Sequence, residues 1–120
     1  MVKQILLCES EPMLQEMISE YLSPLGFKVV CTRSEAKCLE NLDKKIFDAV
    51  ILDTHLPHSS SAQTIQKIRN KGLKTPVVLL SSNYGITSQD DAIDLGANGF
   101  IEKPFKVKDF LECILNAMPA

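Results

Sequence analysis

Three polar residues of this 120-residue chain have the types and the spacing to do chemistry together. Asp53, Ser81 and Lys103 each follow a four-residue run that reads as a β-strand. If those strands are parallel, their carboxyl ends lie along one edge of the sheet, so a carboxylate, a hydroxyl and an ammonium meet in one crevice. This set suits the acceptance of a phosphoryl group, because a carboxylate can attack phosphorus while the other two groups hold its oxygens.

Short apolar runs alternate with segments of helical period along the whole chain, which is typical of repeated βα units around a parallel sheet. The runs predict five strands, near residues 3–8, 27–32, 48–52, 76–81 and 99–102. The segments between them predict five helices, near residues 11–23, 34–45, 60–71, 88–96 and 106–118. Serines and glycines punctuate these segments and predict N-caps at Ser10, Ser34 and Ser88 and helix ends before Gly26, Gly72 and Gly96.

The composition of the strands predicts their order. The first, third and fourth runs are apolar throughout, as interior strands covered on both faces must be. The second run contains Lys28 and the fifth is short, so both are predicted at the edges. These features favour an α/β fold, a doubly wound five-stranded parallel sheet of order 2-1-3-4-5 with helices on both faces, which is the flavodoxin-like arrangement.

Length and charge restrict the classes of function. A chain of 120 residues fits a single domain, 1–120. The formal net charge is −2 and no run of Lys or Arg forms a phosphate-tracking face, so direct binding of nucleic acid is not expected. No apolar stretch approaches the roughly 18 residues that span a bilayer, and no signal peptide is visible, so a cytoplasmic protein without a membrane segment is expected.

The four cysteines show no metal-binding or redox spacing. Cys8, Cys31, Cys38 and Cys113 form no Cys-x-x-Cys pair, and the two histidines of the chain are far from them in sequence. Two of the four lie inside apolar strand-like runs. We therefore expect buried free thiols rather than a zinc site.

Four segments of the chain, in order, resemble the receiver domain of bacterial response regulators. They are residues 4–12 (QILLCESEP), 50–57 (VILDTHLP), 76–82 (PVVLLSS) and 96–105 (GANGFIEKPF). The separations of 28 residues from Asp53 to Ser81 and 22 from Ser81 to Lys103 are also similar to those of receivers. The resemblance covers essentially the whole chain.

The resemblance implies a role for each residue at the strand ends. Asp53 corresponds to the phosphoacceptor, Lys103 to the lysine that contacts one phosphoryl oxygen, and Ser81 to the hydroxyl that contacts another. Phe100 stands at the aromatic switch position, although a buried phenylalanine is also ordinary core material. The simpler alternative for the acid is that Asp53 caps a turn and Lys103 only neutralises it.

The magnesium site that the resemblance implies is incomplete. Receivers end their first strand in two adjacent acids, the second of which binds Mg²⁺ directly, whereas this chain has Glu9 and Ser10. The remaining ligands are Glu9, Asp53 and the backbone carbonyl of His55, with Glu11 as a substitute. Because Mg²⁺ binds through few carboxylates, the loss of one is expected to weaken the site substantially.

The loop after the phosphoacceptor also departs from the family. Receivers usually carry an acid and a glycine seven and eight residues after that aspartate, and here those positions are Ser60 and Ser61. Serine resists the left-handed backbone that glycine permits, so this loop is expected to take a different path. A serine-rich turn that caps the third helix is the simplest interpretation.

Two functions inside the family remain open. One is a phosphorylation switch, which is not an enzyme beyond accepting a phosphoryl group and slowly hydrolysing it. The other is a pseudo-receiver, an interaction module that works without phosphate. In both, the expected partners are a histidine kinase or phosphotransfer protein and, through the fourth helix, fifth strand and fifth helix, an output domain or downstream protein.

Three other classes fit the sequence less well. A dehalogenase-type phosphotransferase needs a second aspartate two residues after the first, where this chain has His55. A cobalamin-binding loop needs glycine at the position of His58. A flavodoxin-like FMN protein needs a phosphate-binding loop after the first strand, and the acidic segment 8–12 lacks glycine.

Overall fold

Five parallel strands form one sheet in the order β2-β1-β3-β4-β5, as predicted. The computed structural model describes residues 2–82 and 88–119. The strands are β1 (Lys3–Cys8), β2 (Phe27–Thr32), β3 (Ala49–Asp53), β4 (Val77–Ser81) and β5 (Gly99–Glu102). The sequence predicted the bounds of these strands to within one residue, because each apolar run is short and bordered by polar or turn-forming residues.

Helices cover both faces of the sheet. They are α1 (Pro12–Leu22), α2 (Glu35–Lys44), α3 (Ser61–Asn70), α4 (Gln89–Asp94) and α5 (Val107–Ala117), with a short 3₁₀ turn at Ser23–Leu25. The core on one face contains residues of α2, α3 and α4, and the core on the other contains residues of α1 and α5. Within the two described ranges, no helix is long and apolar enough to cross a membrane.

Burial follows the predicted strand order. The last four residues of β1 and all residues of β3 and β4 are buried. In β2, only the first and last residues, Phe27 and Thr32, are buried, and Lys28 and Cys31 are exposed. These differences arise because the interior strands are covered by helices on both faces, whereas an edge strand is partly open to water.

Serine N-caps begin three of the helices. The hydroxyls of Ser34, Ser60 and Ser88 accept hydrogen bonds from backbone N–H groups three residues later. The predicted cap at Ser10 is wrong: α1 has Glu11 as its N-cap, without a side-chain hydrogen bond. The physical reason is Pro12, which takes the first helical position and holds the residue before it in extended backbone.

The cysteines are all free, but not all of them are buried. Cys8 and Cys38 are fully buried, Cys113 is half-buried and Cys31 is exposed. The expectation of buried thiols is therefore wrong for Cys31, because it lies on the edge strand β2, where its Sγ atom is 3.3 Å from the hydroxyl oxygen of Ser19. Burial raises the pKa of Cys8 well above its ordinary value, which keeps that thiol protonated.

Arg69 holds together the edge of the sheet where β4 and β5 begin. Its guanidinium donates hydrogen bonds to the backbone carbonyls of Leu73, Thr75 and Gly96 and to the side-chain oxygen of Asn98. Arginine suits this position because its planar fork carries five donors in fixed directions. The end of α3 is thereby tied to the segments that lead into both strands.

We predict that Gly96→Ala destabilises the domain more than Gly26→Ala does. Both glycines have a left-handed backbone, with φ of 99° and 95°, so each alanine costs about 1–2 kcal/mol in backbone conformation. A Cβ atom at position 96 would also lie 3.2 Å from Cγ2 of the buried Ile65, whereas a Cβ atom at position 26 would meet nothing within 4 Å. Urea denaturation of both variants measures the difference, and equal losses would contradict it.

We also predict that the stabilising contribution of Glu35 disappears in acid. This carboxylate on α2 accepts hydrogen bonds from Lys67 and Thr64 on α3, and these bonds lower its pKa below the ordinary value. Its stabilising contribution is therefore present above the pKa of the unfolded chain and is lost as pH falls through the lower pKa of the folded state.

Glu35→Gln should accordingly reduce the free energy of unfolding at neutral pH, and its deficit relative to the unmodified protein should shrink as the pH falls below the ordinary range for glutamate. Denaturation curves across this pH range measure the effect. Glu16→Gln, at an exposed position on α1, is the matched control and should follow the unmodified protein. A deficit that stays constant with pH would show that Glu35 acts through packing alone.

Candidate functional site

The register of the sheet brings the predicted site residues to one edge. The pairs at the carboxyl ends of the strands are Cys8 with Leu52, Asp53 with Leu80, and Ser81 with Glu102. Glu9 and Lys103 follow directly after β1 and β5. The structure therefore brings Glu9, Asp53, Ser81 and Lys103 to one edge, from strands that are distant in the chain.

The ammonium of Lys103 lies between two buried carboxylates. Its Nζ atom is 2.7 Å from Oε1 of Glu9 and 3.5 Å from Oδ1 of Asp53. The side chains of Glu9 and Asp53 are 1% and 2% exposed, and that of Lys103 is 19% exposed. The lysine therefore makes its closest ion pair with Glu9 rather than with Asp53.

Several hydrogen bonds hold Glu9 in place. Its backbone N–H donates to the carbonyl of Thr32 at 3.0 Å, which continues the pairing of β1 with β2. The side-chain amide of Gln15 on α1 donates to the carbonyls of both Glu9 and Thr32. The N–H of Glu11 donates to Oε2 of Glu9 at 3.0 Å. Sequence reasoning missed Gln15, because a glutamine on an amphipathic helix gives no signal of this contact.

The environment of Glu9 disfavours its charged form. Burial raises its pKa above the ordinary value, and the charge of Asp53 acts in the same direction. The hydrogen bonds from Lys103 and from the N–H of Glu11 act against this rise without cancelling it. Two carboxylates in one buried pocket therefore need a cation beside them, and Lys103 supplies it.

Asp53 is held by the turn that follows β3. The backbone N–H of His55 donates to its Oδ1 atom at 3.0 Å, so this carboxylate does cap a turn. The same oxygen faces Lys103. The side chain of Ser81 is fully buried, and its carbonyl accepts a hydrogen bond from the N–H of Lys103 at 2.8 Å, which joins the ends of β4 and β5.

These residues do not fit a site that binds a divalent cation through adjacent carboxylates. Ser10 is half-buried and offers a hydroxyl, and Glu11, the expected substitute, is exposed and approaches Glu9 through its backbone N–H. Both oxygens of Glu9 already accept hydrogen bonds, from Lys103 and from Glu11. Over residues 2–82 and 88–119, no group of three or more His, Cys, Asp and Glu side chains is arranged to hold a metal ion.

The loop between β3 and α3 turns at a position that the sequence did not indicate. His58 has a left-handed backbone with φ of 58°, a conformation that is uncommon for residues other than glycine. Ser60 is extended and caps α3 by accepting a hydrogen bond from the N–H of Gln63 at 3.2 Å, as the serine-rich turn predicted. Ser61 is the first residue of the helix.

Phe100 lies half-buried on β5 and packs against the core on the α2, α3 and α4 face. Its carbonyl oxygen is 3.5 Å from the thiol of Cys113 on α5. The burial of the Phe100 ring agrees both with a role as the aromatic switch and with a role as an ordinary core residue. The segment between β4 and α4 includes residues 83–87, which are outside the described part of the chain.

Comparison with known proteins gives a consistent result. The family model of the response regulator receiver domain matches residues 5–115. The transcriptional regulatory protein CrdR of Helicobacter pylori is 30% identical over 91% of this chain and 52% of its own length. The transcriptional regulatory protein DltR of Streptococcus agalactiae is 30% identical over 90% of this chain and 48% of its own length. The chain thus spans about half the length of these relatives.

Two solved structures show the same fold. The chemotaxis response regulator CheY4 of Vibrio cholerae superimposes with a TM-score of 0.89 at 20% identity, over 98% of this chain and all of the other. The receiver domain of the sensor histidine kinase PA1611 of Pseudomonas aeruginosa superimposes with a TM-score of 0.85 at 24% identity, over 98% of both chains. The latter was solved with a magnesium ion coordinated in its active site cleft.

We predict that the Glu9 and Lys103 side chains are strongly coupled in stability. Lys103→Met leaves a buried carboxylate without its cation and should cost about 3 kcal/mol of unfolding free energy. The double variant Glu9→Gln with Lys103→Met should recover much of that loss, because both charges are then absent. Urea denaturation gives the coupling energy.

The control for this prediction is Lys108→Met, which removes one positive charge from an exposed position on α5. It should change stability by only a few tenths of a kcal/mol. Additive effects in the double variant would show that the two side chains do not interact as the distance of 2.7 Å indicates.

Proposed function

Because this chain belongs to the receiver domains of response regulators in two-component signalling, we propose that Asp53 accepts a phosphoryl group and that the domain passes on the signal by protein–protein interaction. The observation that supports this proposal is the meeting of Asp53, Ser81 and Lys103 at the carboxyl edge of the sheet, with Lys103 Nζ at 3.5 Å from Asp53 Oδ1. A nucleophile, a cation and a hydroxyl are the groups that phosphoryl acceptance requires.

In the proposed reaction, Asp53 attacks the phosphorus atom of a phosphohistidine or of a small phosphodonor. A new oxygen–phosphorus bond forms at Asp53 while the bond from phosphorus to the donor breaks, and its electron pair leaves with the donor. Since Oδ1 accepts the hydrogen bond from His55, we assign Oδ2 as the attacking oxygen. Lys103 and the hydroxyl of Ser81 then each hold one phosphoryl oxygen.

We further propose that Mg²⁺ binds this pocket only weakly. The protein ligands would be Glu9, Asp53 and the carbonyl of His55, and the direct carboxylate that Ser10 replaces is missing. A magnesium ion in a receiver supplies positive charge to the phosphoryl oxygens. Among the described residues, Lys103 is the positive group that lies beside Asp53 in the pocket. Both the phosphorylation of Asp53 and the hydrolysis of the phosphoryl group should therefore be slow.

We propose two kinds of partner for the domain. A histidine kinase or phosphotransfer protein delivers the phosphoryl group, and an output domain or downstream protein contacts the surface of α4, β5 and α5. The domain itself is not an enzyme beyond slow hydrolysis of its own phosphoryl group. CrdR and DltR are transcriptional regulators of about twice this length, so we assign any contact with DNA to other parts of such proteins. We place this signalling in the cytoplasm.

The alternative is a pseudo-receiver that signals without phosphate. The observation that favours it is the burial of the pocket: the carboxylates of Glu9 and Asp53 are nearly fully buried, and both lie beside the ammonium of Lys103. A donor must therefore reach an oxygen of Asp53, which is only 2% exposed. In this alternative the same surfaces bind partners, and the pocket has a structural role.

The test is the intact mass of the domain after incubation with acetyl phosphate. We expect the mass of one phosphoryl group to be added to the unmodified protein and to be absent from Asp53→Asn. Asp94→Asn, at an exposed position on α4, is the matched control and should be phosphorylated normally. Ser10→Asp should raise the yield when Mg²⁺ is present, because it restores an acid beside Glu9.

The two candidate functions predict different masses. Absence of an adduct with both acetyl phosphate and a phosphohistidine donor would contradict the switch and favour the pseudo-receiver. An adduct that persists in Asp53→Asn would show that another residue is the acceptor.

A further inference from the structure

The position of the Lys103 ammonium suggests that the pocket already contains its own cation. The Nζ atom lies within 4 Å of both acids that a metal would use, at 2.7 Å from Glu9 and 3.5 Å from Asp53. A divalent ion that bound these two carboxylates would have to lie in the same region. It would meet repulsion from an ammonium that is only 19% exposed and therefore poorly screened by water.

Glu9 is the residue that fixes the ammonium there. Its Oε1 atom accepts from Lys103, and its Oε2 atom accepts from the backbone N–H of Glu11 at 3.0 Å. The carbonyl of Glu9 is in turn fixed by the amide of Gln15. Binding of a metal through Glu9 would break a charge-assisted hydrogen bond in a buried setting, and no second acid at position 10 offsets that loss.

The charge balance of the pocket leads to the same conclusion. Beside the ammonium of Lys103 this pocket has two carboxylates, Glu9 and Asp53, whereas a receiver with adjacent acids has three carboxylates beside its own lysine. The attraction for a divalent ion falls with each negative charge that is removed or paired. The part of the chain that the structure describes also contains no group of three acidic, histidine or cysteine ligands.

We infer that, with Ser10 in place of the second acid, the Lys103 ammonium held by Glu9 balances the charge of the pocket without a divalent cation, so that Mg²⁺ binds too weakly to occupy it at millimolar concentration. The inference concerns cation binding by the unphosphorylated pocket, and it does not depend on whether Asp53 serves as a phosphoacceptor. It identifies Glu9 and Lys103 as a pair that determines the metal requirement of the domain.

The direct test is a titration of the ¹⁵N-labelled domain with MgCl₂, compared with NaCl at matched ionic strength. We expect the amide signals of residues 8–11 and 53–55 to shift equally in the two salts and without saturation. Saturable shifts of these signals with MgCl₂ alone, at millimolar concentration, would overturn the inference. The measurement uses the unmodified protein and requires no phosphodonor, so its outcome is independent of the acetyl phosphate experiment.

The second test asks whether the ammonium is the cause. Removal of one buried positive charge beside two carboxylates should tighten Mg²⁺ binding by about tenfold or more, so Lys103→Met should gain a saturable Mg²⁺ response. The matched control Lys108→Met removes an exposed positive charge on α5 and should gain none. A folded Lys103→Met variant without an Mg²⁺ response would overturn the role of Lys103. If that variant does not fold, the titration of the unmodified protein decides the inference by itself.

Discussion

The parallel register of the five strands is the constraint on which the pocket depends. Register pairs the last residues of β1, β3, β4 and β5 with their neighbours, and so a carboxylate, a hydroxyl and an ammonium are delivered to one edge. The interior strands can hold this register because apolar side chains on both faces are buried under helices. A slip of one residue in the register of β3 would turn Asp53 to the opposite face of the sheet, away from Lys103 and Glu9.

Much of this arrangement could be predicted from the sequence, because strand order and strand ends depend on local patterns. Runs of Val, Ile and Leu define the interior strands, and the polar residue at the end of each run marks the carboxyl edge of the sheet, where the candidate site residues lie. The exposure of Cys31 was missed because an apolar run does not reveal how much of an edge strand is left uncovered. The N-cap of α1 was misplaced because the restriction that Pro12 imposes outweighs the capping preference of Ser10.

The geometry inside the pocket could not be predicted in the same way. The sequence predicts that Lys103 lies near two acids, but it does not show which of them forms the closer ion pair. The two distances from Nζ differ by less than 1 Å, at 2.7 Å to Glu9 and 3.5 Å to Asp53. The amide of Gln15 fixes the carbonyl of Glu9 and the N–H of His55 fixes Oδ1 of Asp53, and neither contact leaves a periodic signal in the sequence. Local patterns thus define the fold, whereas the balance of charge in the site depends on contacts between distant segments.

The ion pair between Glu9 and Lys103 joins residues that are 94 positions apart in the chain. A ribosome releases Glu9 and Asp53 long before it releases the lysine that balances them. Until β5 docks, the nascent domain therefore has two acids at the end of its sheet with no counter-charge from this lysine, and their burial is unfavourable. Completion of the pocket thus reports that the last strand has joined the sheet, and a chain truncated before Lys103 would lose both its site and part of the drive to close it.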